Sequence, residues 1–348
     1  MEKNIKNNKS NVNIAIVGYG YWGPNIVRNF YEVDGVRLVA CCDVRKERLV
    51  LIKEKYPMVK TTSNLNDLLS DPTIDAIIIA TPTTTHFSLA KKVLESGKHV
   101  WIEKPMTQTL EQAKTLLEIA KQNKRIIHVD HIFIYTEAVA IIKKMLDRGE
   151  LGDLYYFDSV RINLGLFQHD VNVVWDLAPH DISIMLYLLN EYPVGVSVFA
   201  NSHVVKGLED TAYLSFQFES GKSAHIHVSW LSPVKIRRSI IAGSKKMVLY
   251  DDLEGSDKVK VYDKGLSFSK KTKHISTDLG YQYRTGNIFT PAITNTEPLR
   301  TECKEFVEAI SAHGSTRTTG EEGLRVVKIL EAASLSMKNN GALTQISS

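Results

Sequence analysis

An apolar run that leads straight into three closely spaced glycines leaves a chain few ways to fold. Residues 14–25 read IAIVGYGYWGPN. Val12–Val17 has the make-up of a short buried strand, and Pro24–Val33 places Ile26, Val27, Phe30 and Val33 on one helical stripe. Strand, then Gly18-x-Gly20-x-x-Gly23, then helix is the order a dinucleotide fingerprint needs. Gly18 permits the tight turn, Gly20 a close approach of the backbone to a pyrophosphate, and Gly23 close packing of helix on strand. Tyr21 and Trp22 lie inside the same loop and count with the glycines as cofactor-binding candidates. Pro24 suits a first helical turn, because its missing N–H is not needed there. A diphosphate would sit on that helix N-terminus, where free N–H groups and the helix dipole favour negative charge.

Three glycines alone can simply make a loop. The acidic partner of the fingerprint is also present: Asp43 ends a second strand, Val36–Cys42, 20 residues after Gly23. A carboxylate there can bond both hydroxyls of an adenosine ribose. It would repel a 2′-phosphate, so NAD is the expected cofactor, and Arg45 and Lys46 beside it leave room for NADP. The plainer reading of Asp43 is a helix cap before Val44.

The first 130 residues go on alternating strand and helix signals. Helical stretches are read at Val44–Tyr56, Leu65–Ser70, Thr84–Ser96 and from Thr109, whose Gln112 three residues on makes a capping-box pattern. Strands are read at Ile74–Ala80, His99–Ile102 and Arg125–Val129. This rhythm predicts βαβ units and a doubly wound parallel sheet, an N-terminal Rossmann domain over 12–130 after a disordered lead-in at 1–11. Past residue 150 the rhythm changes. Helices Glu137–Arg148 and Trp175–Leu189 flank a strand at Leu154–Leu164, then strand signals follow one another to 262. The expectation for 131–348 is an α+β substrate-binding domain with a large, mostly antiparallel open sheet, an irregular loop over 265–297, and closing helices Glu302–Ala312 and Glu321–Met337.

Composition narrows the function. A length of 348 residues with 43% hydrophobic and 24% charged residues fits two ordinary globular domains. Three cysteines give neither a disulfide framework nor a zinc spacing, so no metal is expected. The first residues lack the apolar segment of a signal peptide, and no apolar run nears the ~18 residues of a membrane span, which together imply a cytoplasmic protein and no membrane partner. The net charge of +4 is spread along the chain, without a basic stripe for nucleic acid.

Two further clusters follow strand ends, where an open parallel sheet binds ligands. "ATPTTTH" carries Thr81, Pro82 and His86; "EKP" is Glu103-Lys104-Pro105. Pro105 pushes Lys104 toward an extended backbone, and a cis X-Pro bond would aim it in a fixed direction. By itself the tripeptide also reads as a surface Lys–Glu pair. In "WDLAPHD", Asp176 and His180 stand four apart and share one helix face, near an N-terminus if Pro179 falls in the first turn. A carboxylate beside an imidazole suits proton transfer; an N-capping Asp176 with a half-buried His180 is the bland alternative.

Taken together and in order, these motifs resemble the glucose–fructose oxidoreductase / inositol dehydrogenase (Gfo/Idh/MocA) family from about Val12 to Met337. The resemblance implies an enzyme that moves hydride between a nicotinamide and a secondary alcohol of a sugar, inositol or nucleotide sugar. It implies a C-terminal sheet that often pairs copies into a homodimer or homotetramer. By motif match, Lys104 holds the reacting oxygen, Pro105 sets the nicotinamide pocket, and Asp176 and His180 complete proton transfer. Thr81, Pro82, His86, Glu103 and Lys104 itself fall with the cofactor. Within the family, "GYWGPN", "RINLGLF" and "DVNVVWDLAPHDIS" are similar to nucleotide-sugar 3-dehydrogenases of surface-polysaccharide biosynthesis, acting on UDP-N-acetylglucosamine or its glucuronate, although Val171–Val174 replaces their commoner glycines. A nucleotide-sugar ketoreductase, an inositol or sugar dehydrogenase, an NAD-dependent glycosidase and a non-catalytic NAD(H) sensor remain alternatives.

Substrate contacts are read more loosely. Arg161 and Asn163 share a strand face, and Arg161 either meets an anionic substrate or bridges within the protein. Tyr135 and Tyr283 either stack on a ring or pack. His225 and His227 face one side of a strand with no third ligand in view.

Overall fold

The computed structural model describes residues 11–346 apart from 166, 169–170, 269–280 and 295, so the lead-in lies almost wholly outside the described residues. In chain order the elements are β1 Val12–Val17, α1 Gly23–Glu32, β2 Val36–Cys42, α2 Lys46–Lys55, β3 Lys60–Thr62, α3 Asn66–Leu69, β4 Ala76–Ile79, α4 Thr83–Glu95, β5 His99–Glu103, α5 Leu110–Asn123 and β6 Ile127–Asp130. There follow α6 Glu137–Asp147, β7 Leu154–Leu164, α7 Val173–Leu189, β8 Gly195–Asn201, β9 Thr211–Gln217, β10 Ser223–Ser229, β11 Leu231–Gly243, β12 Met247–Asp251, β13 Val259–Phe268, β14 Tyr281–Phe289, α8 Pro298–Ala312, α9 Gly320–Lys338 and β15 Thr344–Gln345. The chain forms two compact units: Met1–Ile132 with Glu297–Val327, and Phe133–Thr296 with Lys328–Ser348.

The first unit is a parallel six-stranded sheet in the order β3-β2-β1-β4-β5-β6. Its order reverses beside β1, the switch point at which such sheets bind nucleotides. β4 reads AIII and is buried at every position, as a strand covered on both faces must be. Thr109 caps α5 by accepting the Gln112 N–H at 3.2 Å. The Gln112 side chain accepts from the Gln108 N–H, one residue earlier than the expected capping box. β3 is a three-residue edge strand that the sequence pattern does not announce.

Segment Glu297–Val327 completes this unit from the far end of the chain. A boundary at 130/131 leaves that segment with the second domain. It clusters with the first because Leu299, Cys303, Phe306, Val307 and Ile310 of α8 enter the same core as β1, α1 and β2. Phe306 meets Phe30 and Trp101 edge-on, at ring distances of 6.4 and 5.5 Å, and Phe30 meets Trp101 at 5.3 Å.

Buried histidines give this unit a pH dependence. His99 accepts the Ile126 N–H on Nδ1 at 3.0 Å, a bond that needs the neutral ring. Burial first, and Arg125 second, push its pKa down to about 4. An unfolded histidine takes up a proton below about 6.5, so stability falls as pH drops from there toward about 4, at about 1.4 kcal/mol per pH unit for that proton. His99→Gln keeps an acceptor but not the titration. Its thermal midpoint is expected to fall less steeply across that window than the wild type's; equal slopes would rule His99 out as a contributor.

The second unit is a nine-stranded sheet in the order β14-β13-β12-β11-β7-β10-β9-β8-β15. Only β7 and β10 pair in parallel; the other neighbours are antiparallel. α7 packs on one face, and its buried residues run along nearly its whole length. The expected loop over 265–297 is corrected by β14, which pairs with β13 from Phe289 opposite Val261 to Tyr281 opposite Phe268. Residues 285–289 of this strand are all exposed, apolar Ile288 and Phe289 included, so no buried face marks the strand in the pattern. The α7 boundary is also corrected: Asn172 is the cap, accepting the Trp175 N–H at 3.1 Å, so Pro179 lies in the second turn rather than the first. Among the described residues no helix is long and apolar enough to cross a membrane.

Candidate functional site

In the first unit, the loops after β1, β2, β4 and β5 gather at the carboxyl ends of the sheet. Gly18 has φ +98°, and a Cβ there would stand 2.4 Å from the Ala80 carbonyl oxygen. A Cβ on Gly23 would stand 2.7 Å from the Gly18 carbonyl oxygen, so this glycine closes the loop on itself rather than packing helix on strand. Gly20 is different: a Cβ there would meet only Arg45 Nη2, at 3.7 Å. The protein does not fill the space before Gly20, which suits a position reserved for an incoming diphosphate. No side chain caps α1; Pro24 carries no N–H and the Asn25 and Ile26 N–H groups donate to the Trp22 carbonyl at 2.9 and 3.2 Å, which leaves the Gly23 N–H at the helix start to face an anion. Tyr21 is exposed and Trp22 half so, and their rings meet edge-on at 6.3 Å.

Asp43 is buried at the end of β2 and firmly held. Its Oδ2 accepts the Tyr19 N–H at 2.8 Å and its Oδ1 accepts the Arg45 N–H at 2.9 Å. The Arg45 guanidinium adds bonds of 3.2 and 3.3 Å. Burial raises the Asp43 pKa, but these donors outweigh it, and the carboxyl stays below its ordinary range. The residues present thus fit a dinucleotide: an open glycine, an uncapped helix and an ionised acid at the ribose position.

His86 is buried and brackets two loops. Its Nε2 lies 2.8 Å from the Thr81 carbonyl oxygen and its Nδ1 2.9 Å from that of Pro105. Thr81 Oγ1 meets Thr85 Oγ1 at 2.7 Å, and Pro82 precedes the first turn of α4. The Lys104–Pro105 bond is cis. Lys104 is half-buried, whereas Glu103 is buried and hydrogen-bonded to Asp130.

In the second unit, Asp176 and His180 lie one turn apart on α7. Asp176 Oδ2 accepts the indole N–H of the buried Trp230 at 3.0 Å. The His180 ring meets Phe133 edge-on at 4.9 Å. Phe133 is in turn covered by the Arg161 guanidinium, 4.3 Å from its centroid. Arg161 is buried and bridges within the unit: its Nε donates to Asp181 Oδ2 at 2.6 Å. Burial lowers its pKa, but Asp181 outweighs that and the guanidinium stays charged. Of the two readings of Arg161, the internal bridge is the one seen. Asn163 is half-buried beside Gly165 and Trp230. Tyr135 is buried and Tyr283 is 83% exposed, so neither offers a walled stacking surface. His225 bonds Asp158 and His227 stacks on Tyr213; among the described residues no group of three or more His, Cys, Asp or Glu is arranged for a metal ion.

Sequence reasoning missed Trp230, Phe133 and Asp181, which support Asp176, His180 and Arg161. It also missed Asp130 and Glu302 near Lys104. Asp130 left a trace, a charge directly behind a buried strand. Glu302 left a weaker one, on the apolar stripe of Leu299, Cys303 and Phe306.

A reversed-order parallel sheet with an open glycine loop at its switch point, and an ionised acid at the end of the next strand, defines an NAD-binding oxidoreductase domain. Residues 12–131 match the model described as oxidoreductase family, NAD-binding Rossmann fold, and residues 139–249 match the Gfo/Idh/MocA C-terminal domain. The chain belongs to the Gfo/Idh/MocA family of NAD-dependent oxidoreductases. It is 30% identical over 270 residues to scyllo-inositol 2-dehydrogenase (NAD(+)) of Bacillus subtilis strain 168, spanning 74% of this chain and 79% of that one. Its fold is similar to that of UDP-N-acetylglucosamine 3-dehydrogenase GnnA from Acidithiobacillus ferrooxidans, with TM-score 0.80 and 22% identity, covering 95% and 99% of the two chains. It is also similar to scyllo-inositol dehydrogenase from Lactobacillus casei with bound NAD(H) and scyllo-inositol, with TM-score 0.78 and 18% identity, covering 97% and 100%.

Proposed function

We propose that the protein oxidises a secondary alcohol on a polyhydroxylated ring, a cyclitol or a sugar, with NAD⁺. The observation that carries this reading is the assembly at one sheet end of the open glycine loop, the ionised Asp43 and Lys104. The glycine loop and Asp43 would hold NAD⁺, which would supply the acceptor for the hydride of the carbinol carbon. Lys104 donates an N–H to the carbinol oxygen and stabilises the negative charge that develops there. His180 takes the hydroxyl proton, imidazole being the side chain whose charge ordinarily changes between about pH 5 and 8. Asp176, anchored by Trp230, orients that imidazole from one helical turn away. Thr81, Pro82 and His86 would line the cofactor, and Asn163 would serve as a substrate contact.

A free cyclitol is the first substrate reading, supported by the inositol dehydrogenase at 30% identity. A UDP-N-acetylhexosamine or its uronate is the second, supported by the GYWGPN and RINLGLF stretches. A panel of inositols, free sugars and UDP-sugars with NAD⁺, followed by absorbance near ~340 nm and product mass, separates them. NADH and a ketone from an inositol support the first; from a UDP-sugar alone, the second. Sugar cleavage without net NADH would replace both with a glycosidase. We also infer that the outer face of the nine-stranded sheet, where Phe199 and Tyr213 are exposed, pairs with a second copy. A monomeric mass by light scattering at working concentration would overturn that.

A further inference from the structure

The first unit holds three carboxyl groups that no step above uses. Glu103 and Asp130 stand side by side at the carboxyl ends of β5 and β6, in parallel register. Glu302 reaches the same place from α8 and is wholly buried, as is His128, whose Nε2 lies 3.0 Å from Glu302 Oε1. Glu103 and Asp130 are 7% and 5% exposed. Asp130 is hydrogen-bonded by both glutamates and by the Ile132 N–H. Three acids joined in this way cannot all be ionised, because like charges at hydrogen-bond distance in a dry interior share protons.

We propose that Glu103, Asp130 and Glu302 are one buried carboxyl cluster holding two protons and one negative charge, and that this charge, centred on Asp130, is the fixed counter-ion that positions the Lys104 ammonium. The inference rests on the reading that Lys104 serves the substrate oxygen only for its kinetic consequence.

Several observations place the charge on Asp130. Burial keeps the Asp130 pKa above its ordinary value on balance, but three donors converge on it and work against that rise. Burial, followed by the neighbouring Asp130, pushes the pKa of Glu103 well up; burial and then the charges of Asp130 and Glu103 do the same for Glu302. Buried Oε1 of Glu103 and Oε2 of Glu302 meet no hydrogen-bond donor, which suits a carboxylic acid and would penalise a bare carboxylate. The surrounding groups do not supply the missing cation. His128 is kept neutral mainly by burial, and His131 is pushed down to about 3 by burial and Lys104. Glu305 adds further negative charge near Glu302, and Arg317 lies toward His128. Lys104 is the positive group that acts on both Glu103 and Asp130, and its backbone N–H, not its ammonium, donates to the Glu103 carboxyl.

Asp130→Asn removes the charge and keeps the shape. The test measures acetylation of Lys104 by a limiting amine reagent, relative to the exposed Lys114, by mass spectrometry without cofactor or substrate. Loss of the counter-ion should leave the Lys104 amine less tightly held and raise its labelling by about tenfold at one alkaline pH. Glu302→Gln, which replaces a neutral acid by a neutral amide, should leave that labelling within about twofold of wild type. Unchanged labelling in Asp130→Asn overturns the inference. Altered labelling with an unmoved kcat–pH profile leaves it standing and instead removes Lys104 from the reaction. Should Asp130→Asn fail to fold, infrared spectra of the wild type decide. A carboxylic-acid C=O band persisting at pH 8 and weakened in Glu302→Gln supports the shared protons; no such band overturns them.

Discussion

Lys104→Ala is expected to lower kcat by roughly 10²–10⁴-fold while NADH still binds within about threefold of wild type. The split follows from where the residue sits. The glycine loop, Asp43 and the uncapped helix α1 are built from β1, β2 and their connections, and none of them depends on the Lys104 side chain. Losing the ammonium removes a donor whose value is greatest when the oxygen becomes negative, so the loss falls on kcat rather than on dinucleotide affinity. Fluorescence titration with NADH and initial rates on whichever alcohol is turned over measure the two separately. Wild-type turnover in this variant would end the role assigned to Lys104; loss of NADH binding in step with turnover would move the residue into the cofactor site.

The second large effect is expected at Gly18. An alanine there must adopt φ near +98° and place its Cβ 2.4 Å from a backbone oxygen that closes β4, a neighbour that cannot swing aside. Left-handed strain and forced separation of the loop from β4 should cost roughly 3 kcal/mol or more, seen as a lower denaturant midpoint, with NADH binding weakened at least tenfold. Gly20→Ala is the matched control. Its Cβ has open space up to Arg45 Nη2 at 3.7 Å, so stability should change by no more than about 0.5 kcal/mol while NADH affinity falls. If Gly20→Ala binds NADH like the wild type, the open space before Gly20 is not where the diphosphate approaches.

The parts of this molecule legible in the sequence are those fixed by local chemistry. A run such as Ile77-Ile78-Ile79 can hardly be other than a buried strand, and a strand that delivers its chain into Gly18 has one familiar continuation. Asp43 was legible because its place is set by distance along the chain from the glycines. The parts that stayed hidden depend on partners far away in sequence. β14 is a strand only because β13 lies beside it. Pro179 was set one turn too early because Asn172, not a residue nearer the proline, starts α7. His86 gave no sign that it would bracket the carbonyls of Thr81 and Pro105. Arg161 could not choose between a ligand and Asp181 until α7 was laid over β7. Glu302 sits among core residues, and nothing in its own helix says which acids it will meet.

The return of α8 to the first unit bears on how this protein is made. Phe30 leaves the ribosome 276 residues, and Trp101 205 residues, before Phe306, the ring that closes over both. During that interval the nucleotide-binding sheet has an open apolar wall and must wait for residues 133–296 of the second unit to be synthesised. A fragment that stops at residue 131 keeps every glycine of the fingerprint and lacks that ring, so it is a poor stand-in for the intact protein in binding work. The same layout favours a permuted chain in which α8 is translated directly after β6, letting the dinucleotide fold mature as one uninterrupted stretch.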